Sequence, residues 1–345
     1  MTPQISIIIP CFNRVKLLKD TLRSVEVAII DLFAEIILVD DGSENPIEDE
    51  MKEFEHLKIK FIRQKNSGLT TSRYNGLMSA TGNFVQFLDS DDQIDKDKFT
   101  IQIQAMIESN ADVSHTDVLQ VNIKQDKSRS PASIITKFRD CQNPAEFYID
   151  VQPAPHSPIF RREYLVETIK KAFIPLNREY DSIGEIWFYY NLAPYPCNII
   201  KIDMPLTICI HHNEERLTNH WERLGLCALS IQLNYLKNHP NNAPFIKDAS
   251  MYIGKAAFNT YRGLPYDIYA PFQNAFIAIW EKLGKTEKLN GGKYFKFLSR
   301  IIGHKLAAKF FKIITKNKYE SIRTISDQEL ISKTLFILDK GQLTS

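Results

Sequence analysis

Residues 87 to 92 read FLDSDD, and the apolar run NFVQ stands just before them. Three carboxylates, Asp89, Asp91 and Asp92, thus stand within four positions at the end of what reads as a buried strand. Like charges this close disfavour one another's ionised forms, so a positive partner is expected there. Carboxylate oxygens suit a hard divalent cation, Mn²⁺ or Mg²⁺, and such ions are usually held by one or two carboxylates together with phosphate oxygens. The chemistry predicted is therefore a cation holding a diphosphate at a strand end. Two further polar clusters have the same placement: PCFNR (10–14) follows ISIIIP, and DDGS (40–43) follows EIILV.

Elements that would bring these clusters together are legible in the pattern. ISIIIP (5–10) is short, apolar and β-branched, as a parallel strand covered on both faces should be. Residues 15–27 space Leu17, Leu18, Leu22 and Val25 as a helix does. EIILVDDGS (35–43) predicts a strand and turn, 57–64 a strand, 69–80 a helix, 83–89 a strand, 96–110 a helix and 111–121 a strand. Strands alternating with helices imply a parallel sheet with right-handed crossovers. In an open sheet of this class the ligand crevice lies beyond the carboxyl ends of the strands, where all three clusters fall. Beyond residue 122 the pattern is irregular, with two short strands expected near 198–202 and 206–211. Helices follow: one from a capping box of Asn219 and Glu222 to about Lys237, then 245–262 and 272–283.

Composition narrows the function classes. The net charge of +2 over 345 residues argues against a general nucleic-acid binder. The five cysteines are scattered and lack C-x-x-C spacing, so a reduced, cytoplasmic chain is expected. No signal peptide is expected, and no apolar run reaches the roughly 18 residues of a membrane span. There is no G-x-G-x-x-G after the first strand and no G-x-x-x-x-G-K-[ST], which disfavours a dinucleotide dehydrogenase and a P-loop NTPase. A nucleotidyltransferase would need a glycine- and lysine-rich loop after the first strand, and a haloacid-type phosphatase its D-x-D there. PCFNR is neither.

ISIIIPCFNR, IILVDDGS and NSGLTTSRYNGLMSATGNFVQFLDSDD, with the spacing between them, resemble the family-two glycosyltransferases of the GT-A fold. The resemblance is strong over about 3–120 and weaker to about 220. It implies an α/β catalytic domain over 1–215 with a mainly parallel central sheet, its donor half 1–120 and acceptor half 121–215. A helical C-terminal region, 216–345, would follow. It also implies a nucleotide-diphosphate sugar donor, a divalent metal, and transfer with inversion to a glycan or lipid-linked acceptor. A catalytically silent GT-A module serving as a scaffold is the alternative.

Carried over residue by residue, the resemblance puts Pro10, Phe12, Asn13 and Arg14 around the nucleobase and ribose. Asp41 falls where the family holds the base, typically uracil, which favours UDP; its other role would be to cap the turn at Gly42. Asn66, Gly68 and Arg73 stand in the stretch that closes over the nucleotide. The Arg73 guanidinium suits a phosphate or a rim carboxylate, or else a surface salt bridge. Asp89 matches the first position of the D-x-D and Asp91 the metal ligand. Asp92 is a further ligand or a cap for the helix beginning near Asp95.

An inverting transfer needs a base to take the acceptor hydroxyl's proton. In SIGEIWFYY (182–190), Glu185 falls where the family carries that carboxylate, with Asp181 the runner-up. Here the sequence departs from the family, which usually has Asp at that position and often an acid where Gly184 stands. A first-turn acid favoured by the helix dipole is the other reading of Glu185. His156 and Ser157 are expected on the acceptor side or in a structural role. His211 or His212 would be a third metal ligand, and Arg216 a diphosphate clamp. Finally, a basic run between Lys285 and Lys318, opposed only by Glu287, carries Phe297, Leu298, Ile301, Ile302, Leu306, Phe310, Ile313 and Ile314 on one side of a helix. Residues 293–318 would lie peripherally on an anionic membrane surface or dock on the body with a solvated basic face.

Overall fold

A computed structural model describes residues 2–122, 134–211, 219–283 and 291–341. Strand β1 (Ile5–Cys11) is buried along its whole length, as a mainly apolar run requires, and its one polar side chain, Ser6, donates to Glu35. Helix α1 (Val15–Ala28) covers one face of the sheet through Leu18, Leu22 and Val25. Strands β2 (Ala34–Asp40), β3 (Lys60–Arg63) and β4 (Phe84–Phe87) complete a parallel unit, with helix α2 (Leu69–Ser79) crossing between β3 and β4. β1 lies between β2 and β4, and β3 pairs with β2. Cys11 stands opposite Asp40, and Ile8 opposite Phe87. The three polar clusters therefore leave the sheet on one edge.

The second half is mixed rather than parallel. It contains β5 (Gln93–Ile94), α3 (Lys98–Glu108), β6 (Val113–Asn122), β7 (Ile134–Thr136) and β8 (Ile159–Arg161). Then come α4 (Arg162–Ile169), a 3-10 turn at 178–183, α5 (Ile186–Leu192) and β9 (Ile199–His211). Among the described residues nine strands form one sheet in the order β3-β2-β1-β4-β8-β6-β9-β5, with β7 paired to β6. β8 returns antiparallel between β4 and β6, so the alternation of strand and crossover helix ends there. The two short strands expected near 198–202 and 206–211 are one strand, β9. It shifts register between Ile202, opposite Thr116, and Thr207, opposite Val118. Pro205, which has no N–H for the ladder, sits in that irregularity.

Helices α6 (Trp221–Asn238), α7 (Ile246–Gly263) and α8 (Ala270–Leu283) stand where expected. The capping box does not form. Glu222 is buried and accepts from the Thr324 N–H at 2.7 Å and from its hydroxyl, so a tertiary partner takes the carboxylate that would have capped. The expected basic helix is two helices, α9 (Lys293–Ile302) and α10 (His304–Thr315), separated by Gly303 at φ 81°. A left-handed backbone residue cannot continue an α-helix. Lys285, Glu287 and Lys288 lie outside the described residues. α11 (Tyr319–Ile322) and α12 (Asp327–Gly341) follow. One apolar cluster joins Phe147, Trp187 and Phe188 to Cys227, Ile231, Tyr235 and Ile253, and so contains residues from both sides of position 215.

Candidate active site

Each carboxylate of the DSDD segment meets a different basic side chain. Asp89 accepts from Nη2 of Arg73, whose side chain is 1% exposed. Asp91 accepts from Nη1 of Arg14 at 2.9 Å. Asp92 faces Nδ1 of His156 at 3.4 Å. Burial alone would raise the Asp89 carboxyl, but the Arg73 guanidinium beside it outweighs burial and holds the group below its ordinary value. Asp92 goes the other way. Burial pushes it up to about 6, and its two acidic neighbours add to the effect while His156 opposes it. Asp92 does not cap the next helix. Its Oδ1 accepts the Ile210 N–H at 2.8 Å, while Asp95 accepts the Asp97 N–H just before α3. The acidic loop is thereby tied to β9.

These groups line one cavity of about 610 Å³ at the carboxyl edge of the sheet. Pro10, Phe12 and Arg14 form one wall, with Phe12 largely exposed. Asn13 is not in the lining. Its backbone, at φ 57°, lets its N–H reach Ser43 Oγ at 3.0 Å and its Oδ1 accept from Glu44 N–H at 2.9 Å, pinning the 10–14 turn to the 40–44 turn. Asp41, Asn66 and Gly68 form a second wall. The Asp41 carboxylate does not cap its own turn. It accepts the N–H groups of Ser67 (2.7 Å) and Gly68 (2.9 Å) and the amide of Gln64 (2.8 Å), while Asp40 takes the Ser43 N–H. Asn66 accepts from Arg178 at 2.7 Å.

The far wall carries Asp181 and Glu185. Asp181 caps the start of α2 from a distance, accepting the Thr70 N–H at 3.0 Å. It stands so close to Gly68 (φ 95°) that a Cβ there would collide with its carboxylate. Glu185 immediately precedes α5, and its Oε2 lies 3.8 Å from Nη1 of Arg73. Burial raises its carboxyl above the ordinary value, with Arg73 opposing. Gly184 is needed beside it: a Cβ would come within 2.6 Å of Arg73 Nη1 and 2.5 Å of Leu69 Cδ2. Arg73 is thus no surface salt bridge. It is a buried cation shared by Asp89 and Glu185, with Nε and Nη1 making no hydrogen bond.

His156 lines the cavity, but Ser157 faces away from it, its Oγ donating to the Thr116 carbonyl at 2.7 Å and accepting the Thr116 N–H at 3.1 Å. His211, at the end of β9, belongs to neither of the two potential ligand groupings among the described residues, Asp89–Asp91–Asp92 and Asp92–His156–Cys209. His212 and Arg216 lie outside the described residues. Two contributors gave no signal in the sequence. Cys209 lines the cavity beside His156. Lys98 looks like a surface lysine at a helix start, yet it is buried, donating to Gln102 (2.5 Å), the Ser157 carbonyl (2.9 Å) and Thr207 (3.1 Å). It clamps the segment that carries His156.

Three comparisons bear on this arrangement. The model of the family "Glycosyl transferase family 2" matches residues 6–168. An uncharacterized glycosyltransferase of Rickettsia conorii is 38% identical over 122 residues, 35% of this chain and 20% of that protein. The putative glycosyltransferase EpsH of Bacillus subtilis is 27% identical over 258 residues, 72% of this chain and 70% of that protein. The chain thus spans only about a fifth of the length of the Rickettsia relative. Among solved structures, residues 1–349 of S. aureus TarS in complex with UDP-GlcNAc superpose with a TM-score of 0.65 at 16% identity, covering 90% of each chain. That likeness gives the GT-A fold, with its mixed sheet and helical C-terminal region. Over residues 6–168 the chain is thus similar in sequence to glycosyl transferase family 2.

Proposed function

We propose that the chain is an inverting glycosyltransferase. It would move a sugar from a nucleotide-diphosphate donor, UDP-linked by preference, to a glycan or lipid-linked glycan. The observation that carries this reading is the single cavity of about 610 Å³ that joins the D-x-D carboxylates, Arg14, Asp41, Arg73 and Glu185. Its volume suits a nucleotide sugar. The TarS complex, whose ligand is UDP-GlcNAc, supports the donor class.

Asp89, Asp91 and Asp92 offer oxygen atoms within 4.8 Å of one another, a donor set fit for Mn²⁺ or Mg²⁺. In this reading Asp91 and Asp89 would hold the ion, which supplies Lewis-acid stabilisation of the leaving diphosphate when bound. Arg14 would release Asp91 and turn to the diphosphate. Phe12 would cover the base, and the loop fixed by Asp41 would hold it at the edge. Arg73 keeps Asp89 ionised and holds Glu185 on the opposite wall. Glu185 would take the acceptor hydroxyl's proton; its raised affinity for a proton suits a general base. Asp181, already capping α2, is the less suited carboxylate.

The reading extends to location. Among the described residues no helix is long and apolar enough to cross a membrane. α9 and α10 dock through Phe295, Ser299, Ala307, Ala308 and Lys312, which leaves Phe297, Ile301, Leu306, Phe310 and Ile313 exposed beside Lys296, Arg300 and Lys309. An exposed apolar stripe edged with basic groups fits the cytoplasmic face of an anionic membrane, where a lipid-linked acceptor would be met.

A panel of nucleotide sugars with and without Mn²⁺, read by thermal shift and by nucleotide-diphosphate release, tests the function. One donor should raise the melting temperature and be turned over when metal is present. Silence across the whole panel in both readouts would leave the enzyme reading without support.

A further inference from the structure

We infer that Asp92, His156 and Cys209 form a binding site for a borderline divalent cation of the zinc type, distinct from the all-oxygen group of Asp89 and Asp91. The three residues come from separate elements: the loop after β4, the segment before β8, and β9. One ligand atom from each lies within 4.8 Å of the others, and all three residues line the cavity.

His156 supplies the independent observation. It is 2% exposed, and neither ring nitrogen has a hydrogen-bond partner. An imidazole held dry with both nitrogens unused is costly unless something binds it. Its Nδ1 stands 3.4 Å from an Asp92 oxygen without hydrogen-bond geometry. With bonds of about 2.0–2.1 Å, a tetrahedral zinc site has a nitrogen–oxygen edge of about 3.3 Å. The pair is therefore already spaced as two ligands of one ion. Asp92 Oδ1 is fixed by the Ile210 N–H at 2.8 Å, one residue beyond Cys209 in the same strand. The Lys98 amine, donating to the Ser157 carbonyl at 2.9 Å, fixes the chain next to His156. All three ligands are thus pre-positioned by the fold.

Ligand chemistry separates this site from its neighbour. A thiolate and an imidazole favour zinc-class ions, while carboxylates alone favour Mg²⁺ or Mn²⁺. Three protein ligands leave a fourth position open to the cavity. Binding displaces the thiol proton of Cys209, so affinity rises with pH. None of this depends on the sugar-transfer reading.

The test is a titration of Co²⁺, a spectroscopic substitute for Zn²⁺, into the full chain freed of metal by chelation. Binding should produce a thiolate-to-cobalt charge-transfer band that Zn²⁺ abolishes. The band should be lost in Cys209→Ser and in His156→Gln but kept in Cys11→Ser, the control for another cysteine lining the cavity. No band in the parent chain, or one that survives Cys209→Ser, overturns the proposal. A second measurement needs no variant. Zn²⁺ should protect Cys209 from alkylation, located by peptide mass spectrometry, and equal labelling with and without Zn²⁺ would refute the site.

Discussion

Nη1 of Arg73 lies 3.8 Å from Oε2 of Glu185, so one buried guanidinium serves two walls of the cavity, the other being Asp89 at its Nη2. Removing it would leave two enclosed carboxylates facing each other. Arg73→Met keeps much of the volume and should still cost on the order of 3 kcal/mol, because an orphaned buried charge outweighs the apolar gain. Urea unfolding measures this directly. A variant as stable as the parent would mean that Arg73 does not hold the site together.

Glu185→Gln keeps the shape of the wall and removes the basic oxygen. Turnover should fall by at least about a hundredfold, with nucleotide-sugar affinity changed little. The raised carboxyl also fixes a pH signature. If Glu185 is the base it works only when ionised, so kcat should climb with pH through a value above the ordinary glutamate range. Normal turnover in the variant would reassign the base, with Asp181 next in line.

His115 sets a stability profile away from the cavity. It is fully buried between Phe138 and Phe147, with no hydrogen bond to either ring nitrogen. Burial, helped by Lys201 and opposed by Asp117 and Asp140, lowers it from 6.5 to about 4. Between those values the unfolded chain takes up a proton that the folded chain refuses. Stability present above 6.5 is therefore lost as pH falls toward about 4, by up to about 3 kcal/mol. His115→Phe should flatten the profile in that window. Parallel curves for parent and variant in acid denaturation would show that another group dominates.

The α9–α10 surface should bring the chain down with phosphatidylglycerol vesicles but not with phosphatidylcholine vesicles, and less so at high salt. Each basic group near such a surface contributes about 1 kcal/mol, so combined Lys296→Glu, Arg300→Glu and Lys309→Glu should weaken binding by at least about tenfold. Equal sedimentation with neutral lipid, or none with either, would leave this face to some other role.

The parts of this molecule legible in its sequence are those governed by local pattern. β1, β2 and β4 are apolar runs that end in polar clusters, and a parallel sheet must put such ends on one edge. The shared placement of Arg14, Asp41 and Asp89 follows from that alone. Other features depend on partners far along the chain. Asp92 is held by the N–H of Ile210, 118 residues away. Lys98 finds its acceptors at Ser157 and Thr207, and no periodicity marks it as buried. Glu222 looked like half of a cap because nothing nearby reveals Thr324. The break at Gly303 was within reach, since a glycine between two runs of apolar and basic residues is a common stop.

α6 packs on the 178–183 turn on one side and on α12 on the other. That turn carries Asp181 and leads into Glu185, and Ser230 of α6 donates to its Glu179. The C-terminal helices are therefore a buttress behind the cavity wall that carries Asp181 and Glu185. A chain trimmed near residue 215 would lose Cys227, Ile231 and Tyr235 from the cluster around Trp187 and lay bare an oily surface. Substitutions in α12, far from any carboxylate of the cavity, would then act as if they lay in the site. Drift in α12 draws on the same narrow margin of stability as drift at the mouth of the cavity.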